Sequence, residues 1–221
     1  MADVAQTWHM GSRMSRVRSS HSYGLVLALI VATFAVAAAA PDSAWSSSAL
    51  VLLVCMTLVI ALWTSGLARA GSDVSSLVVA AGSTVALVNL VRPGSGAGLL
   101  SGLMLAATAA TISVGVIDQG EVNARSVLGA VCVYLLVGLI FAFVFGAVAE
   151  LGSTPLFAQS TDGTRSLRVY FSYVTLATLG YGDYTPDGNL AQLLTVVEAL
   201  IGQLYLVTVI AVLVSRLRGR Q

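Results

Sequence analysis

The residues of this chain with a capacity for chemistry gather in one short stretch, Thr178-Leu179-Gly180-Tyr181-Gly182-Asp183. It sets a hydroxyl, a phenol and a carboxylate among two glycines spaced two apart, with no thiol, imidazole or amine. Gly180 and Gly182 permit backbone angles that residues with a Cβ reach poorly. The groups such a stretch can aim at one axis are its own main-chain carbonyl oxygens. Elsewhere the reactive inventory is thin. His9 and His21 stand alone near the N-terminus, without the clustered partners that a transition-metal site needs. Cys55 and Cys132 fall in different apolar runs, where they read as small packing residues and suggest neither a disulfide nor a metal site. No bond-making constellation is present, so the chain is not read as an enzyme.

Composition says what must hold that stretch. Of the 221 residues, 57% are hydrophobic and 10% charged, and the mean hydropathy is +0.90. Soluble domains carry about 25% charged residues, so a bilayer is the expected solvent. Apolar runs cover residues 24–40, 49–68, 74–91, 97–117, 126–149 and 190–214. Each is long enough to cross a hydrocarbon core about 30 Å thick as a helix. The expected fold is an all-α membrane protein with six transmembrane helices.

All 11 basic residues are Arg. With a cytoplasmic N-terminus, six spans place Arg13, Arg16, Arg18, Arg69, Arg125, Arg216, Arg218 and Arg220 inside, and Arg92, Arg165 and Arg168 outside. That asymmetry obeys the positive-inside rule and puts residues 178–183 on the outer side. A multi-pass protein of the plasma (inner) membrane, with both termini cytoplasmic, is expected. Three arginines, an apolar run and Ala38-Ala39-Ala40 resemble a signal peptide, but Pro41 directly afterwards disfavours cleavage.

Between the fifth and sixth runs the chain divides in three. Residues 151–165 hold Gly152, Pro155, Asp162 and Gly163, the composition of an exposed turret. Residues 166–177 predict a helix about 18 Å long, enough to enter a membrane but not to cross it. Residues 178–183 follow as non-helical backbone, tolerated at membrane depth only where protein buries it or where it lines a watery path.

The sequence of these six residues, in this setting, resembles the selectivity-filter signature of potassium channels of the voltage-gated-like superfamily. The resemblance implies a re-entrant pore helix at 166–177 and K+ held by Thr178, Leu179, Gly180 and Tyr181, with Gly182 completing the filter. Carbonyl oxygens replace the hydration shell of the ion, and the Thr178 hydroxyl is the innermost ligand. Leu179 stands where Val or Ile is commoner; since the carbonyl is the ligand, ion preference is expected to survive. K+ is the permeant ion, and no cofactor or nucleic-acid partner is expected. One filter segment per chain implies a homotetramer, because four segments ring the ion.

The resemblance also nominates support. Tyr170, Phe171 and Tyr173 match the aromatic cuff that braces Tyr181 and Asp183, with ordinary helix packing as the plainer role. Val174 replaces an acid found there in some relatives, and Ala177 lacks a common hydroxyl. Gly202, nineteen residues beyond Asp183, takes the position of the inner-helix hinge, with close helix packing as the plainer role. Glu150 corresponds to an acid tying the fifth helix to backbone near Asp187 and Gly188, with a plain interfacial charge as the other reading. Glu198, one turn before Gly202, is expected either to bond a pore-helix hydroxyl, Ser172 or Thr175, or to face the cavity.

The expected organisation is therefore a cytoplasmic segment at 1–23, a four-helix voltage-sensor-like domain at 24–117 and a pore domain at 126–214. The pore domain comprises an outer helix at 126–149, the turret, pore helix and filter, and an inner helix at 190–214. A basic tail covers 215–221. No Arg lies in 97–117, so steep voltage gating through that helix is not expected. Gly98 and Gly102 in that run suggest close helix packing instead. Three other readings stay open: a weakly selective cation channel, a non-conducting accessory subunit, and a secondary transporter, the last without paired interrupted helices to support it.

Overall fold

The computed structural model describes residues 24–64, 72–91, 97–117 and 124–218, which are helical apart from short connections and two isolated bridges. Residues 1–23 with His9 and His21, and Arg69, Arg92 and Arg220, lie outside the described residues, as do the side chains of Arg125, Arg216 and Arg218. The described residues form seven helices: α1 (Gly24–Ala39), α2 (Ala44–Thr64), α3 (Ser72–Val91), α4 (Ala97–Ile117), α5 (Ala124–Leu151), α6 (Arg165–Leu176) and α7 (Asn189–Arg218).

Local chemistry explains the first boundary. Pro41 cannot continue α1, and Ser43 then accepts from the Ser46 amide at 3.4 Å while the Ser46 hydroxyl receives the Ser43 amide at 3.3 Å. This reciprocal cap starts α2 at Ala44, five residues before the apolar run that predicted it. Hydroxyls inside the apolar helices satisfy themselves. Thr33, Ser48, Thr57 and Thr108 each bond the carbonyl four residues earlier, so their burial leaves no orphaned donor.

Three helices are long and apolar enough to cross a membrane within the described residues, over Ala44–Trp63, Ser126–Leu151 and Asn189–Val209. Shorter apolar stretches accompany them in α1, α3 and α4, over Gly24–Ala39, Val78–Val88 and Gly98–Val114. The main core joins α1 through α5 to one face of α6, with Ile30, Leu50, Val54, Leu105, Leu136 and Val169 at its centre. Small residues set the close approaches. A Cβ on Gly82 would fall 2.0 Å from the Cys55 sulfur, and one on Gly102 would lie 3.3 Å from Phe143. Cys55 and Cys132 are both free and buried.

A second cluster lies beside α6, where the turret, exposed along most of its length, turns two apolar residues inward. Leu156 and Phe157 are buried. Phe157 stacks edge-on to Phe171 at 5.1 Å and to Tyr184 at 5.6 Å, while Phe145 meets Phe171 at 5.2 Å. Each such pair adds about 0.5–1.5 kcal/mol beyond its buried area. The turn-forming residues mark where the loop bends, while the apolar pair inside it folds inward.

Candidate functional site

Residues 178–182 leave the C-terminus of α6 with left-handed backbone at every second position. φ is 57° at Thr178, 55° at Gly180 and 76° at Gly182. Glycine explains the last two. Thr178 is β-branched, and a branched residue in this region is strained by about 1–3 kcal/mol. A Cβ added at Gly180 or Gly182 would meet nothing within 4 Å, so backbone angle and not crowding within the chain calls for glycine there.

The amides at the start of this stretch point back into α6. Thr178 donates to Thr175 O at 2.9 Å, and Leu179 and Gly180 both donate to Val174 O, at 2.9 and 3.5 Å. No donor among the described residues bonds the carbonyl oxygens of 178–182. Main-chain carbonyls without a partner are costly unless solvent or an ion serves them. Thr178, Leu179, Gly180, Tyr181 and Gly182 therefore offer a run of unused oxygen acceptors, on an exposed face of the chain.

Beyond the stretch, the chain is braced from two sides. The Tyr170 phenol donates to the Asp183 carboxylate at 2.8 Å, a bond that raises the phenol above its ordinary pKa. Asp183 therefore has a partner although Val174 stands in the acid's place. The turret supplies the second brace. Gln159 donates to Asp183 O at 3.0 Å and accepts from the Thr185 amide at 3.4 Å. Ala158 donates to Thr185 O at 2.9 Å, and Asp187 to Leu156 O at 2.8 Å. Sequence reasoning missed Gln159, since a lone Gln in a turn-rich loop carries no periodic or motif signal.

Beneath the stretch, α6 is seated on α5 and α7. A Cβ on Gly202 would fall 2.2 Å from the Leu176 carbonyl oxygen. The helix runs unbroken through Gly202, and Gly202 is the contact on which the last carbonyl of α6 rests, the packing role weighed beside the hinge. The Tyr134 hydroxyl of α5 donates to that same oxygen at 3.4 Å. The fully buried Ser172 donates to Gly138 O at 2.7 Å and bonds the fully buried carboxyl of Glu198. Of the alternatives for Glu198, the hydroxyl bond is the one seen, to Ser172, and its Oε2 has no partner among the described residues.

The other nominated supports stand elsewhere. Phe171 belongs to the turret cluster. Tyr173 packs edge-on against Phe34 of α1 at 4.9 Å and donates to Leu135 O of α5, because Gly138 leaves a hollow that its ring fills. Of the three aromatics, only Tyr170 is hydrogen-bonded to the 178–183 stretch. Of the two readings for Glu150, the exposed interfacial charge is the one seen. It makes no bond to Asp187 or Gly188, whose amides pair with Leu156 O and the Asp187 carboxylate. Instead it lies near Gly98 and acts on Arg168. Burial lowers the pKa of the Arg168 guanidinium, opposed by Asp42, Glu150 and Asp162; Arg168 donates to Gly163 O at 2.7 Å.

No cluster of three or more His, Cys, Asp or Glu that could hold a metal occurs among the described residues. Residues 129–219 match a family model described as an ion channel. That span takes in most of α5, all of α6, the 178–183 stretch and α7, and it supports ion conduction across a membrane as the activity of this part of the chain. No curated protein and no solved structure gives a match.

Proposed function

We propose that the chain forms a passive, potassium-selective channel in the plasma membrane, with residues 178–182 as its filter. The observation that carries this reading is the run of unpaired carbonyl oxygens on backbone that is left-handed at alternate positions. Dehydrated alkali cations need a stack of neutral oxygens in a low-dielectric surrounding, and side-chain charge is not required. Thr178, Leu179, Gly180 and Tyr181 supply carbonyls for K+, and the Thr178 hydroxyl adds the innermost ligand. Asp183, held by Tyr170 and the turret, fixes the outer end.

In this reading α6 is a re-entrant pore helix, α5 and α7 are the outer and inner helices, and six spans cross with both termini cytoplasmic. Four chains surround one axis. Support comes from α7, the least covered of the three long helices within its own chain, with Leu193, Leu200, Leu204 and Val207 all more than half exposed. Closed rotational symmetry brings four filter segments around one ion. With no Arg between residues 97 and 117, membrane voltage has little charge on that helix to move.

The test is potassium and sodium flux into liposomes holding the purified chain, beside Gly180→Ala. Potassium-selective, barium-sensitive flux is expected from the wild type. The alanine at φ 55° costs about 1–2 kcal/mol in backbone strain, so selectivity or flux should be lost. Equal passage of sodium and potassium by the wild type defeats the selectivity reading, and silence under all conditions favours the accessory-subunit reading.

A further inference from the structure

One residue of α6 is bound to a distant part of the chain more tightly than to its own neighbours. Arg165, the first residue of α6, is 9% exposed. Its guanidinium donates to Ala40 O at 3.3 Å, Pro41 O at 3.2 Å, the Ser46 hydroxyl at 3.0 Å and the Ser47 hydroxyl at 3.2 Å. All four acceptors belong to the turn between α1 and α2 or to the first turn of α2. Asp42 of the same turn accepts from the Arg165 amide at 2.9 Å and lies 3.6 Å from the guanidinium.

Each contact has its own physical weight. The first amides of a helix have no partner within it, and a carboxylate there also meets the positive end of the helix dipole. Thr164 caps the Leu167 amide from within the chain segment, and Asp42 takes the Arg165 amide from 123 residues away. The ion pair itself is modest, because the Asp42 side chain is 45% exposed and half-exposed pairs are screened. The buried guanidinium matters more, since removing acceptors from a desolvated charge is costly. Burial lowers its pKa, Asp42 opposes that effect and Arg168 adds to it.

We infer that Asp42 and Arg165 are positioning residues for the carbonyl stretch, the α1–α2 turn fixing the N-terminus of α6 so that its C-terminus delivers residues 178–182 in place. On this inference the first helices act as a mechanical anchor for α6. Its consequence for ion selection rests on the channel reading above, while its structural part does not.

The test uses the full chain and two readouts. Amide hydrogen exchange at Thr178 and Leu179 reports the seating of the stretch, because both amides bond into the last turns of α6. The potassium-to-sodium flux ratio reports the functional effect. Asp42→Ala should speed exchange at those amides and lower the flux ratio, each by at least about threefold, with Asp42→Asn between it and the wild type. The pair of changes Asp42→Ala and Arg165→Gln should do no more than the stronger single change, as coupled sites do. Trp45→Phe, on an exposed part of the same region, should change neither.

Unchanged exchange at Thr178 and Leu179 in Asp42→Ala overturns the inference. So does a uniform rise across α4, α5 and α6, which marks general loss of stability. If Arg165→Gln does not fold, the two Asp42 variants decide the matter alone. A wild type that passes no ions defeats the channel reading, and the exchange measurement still judges the anchor.

Discussion

At the scale of single residues, Thr178 and Tyr170 carry most of the local design. Gly180 and Gly182 announce a special backbone in the sequence, because glycine is the residue for which positive φ is cheap. Thr178 adopts the same backbone without that allowance, and nothing in its type predicts it. The bonds of the following amides into α6 hold it there. Tyr170 was one of three aromatics on a short helix, and which of them faces Asp183 depends on how α6 is rotated against α5. Tyr170→Phe removes a single solvent-exposed hydrogen bond, which solvent screens and replaces at little net cost. The melting temperature should therefore barely move, while the potassium-to-sodium flux ratio falls by less than tenfold. A ratio identical to the wild type's would show that Asp183 needs no brace from Tyr170.

At the scale of elements, α6 is a short helix held at three places. Its N-terminus meets the α1–α2 turn, its middle bonds Gly138 and Glu198 through Ser172, and its last carbonyl rests on Gly202. The helix itself was legible in the sequence: 166–177 was predicted, and Arg165–Leu176 is observed. For Gly202 both a hinge and close packing were legible, since a glycine that allows bending and one that allows contact look alike in one dimension, and the structure adds the contact. Gly202→Ala separates them. With a backbone oxygen 2.2 Å from the new Cβ, the contact cannot yield by turning a side chain, and overpacking should cost about 1–3 kcal/mol. Thermal unfolding of the purified protein measures that loss. Unchanged stability with altered opening would favour the hinge over the contact.

At the scale of the whole molecule, the exposed apolar surface of α7 asks for a cover. Chemical crosslinking in native membranes should give a ladder ending at four chains, and a conducting monomer would defeat the tetramer. Composition and hydropathy decided that this chain belongs in a bilayer, because transfer of apolar side chains adds up along the chain without regard to packing. The spacing of Gly180 and Gly182 marked the stretch, because backbone freedom is a property of the residue itself. Tertiary structure alone decided which partners hold it. Glu150 turned toward Gly98 and Arg168, Tyr173 filled the hollow at Gly138, Gln159 reached the backbone beyond the stretch, and Asp42 met Arg165 across the chain. Those pairings depend on helix rotation and distance of approach, which are fixed only when all the elements pack at once.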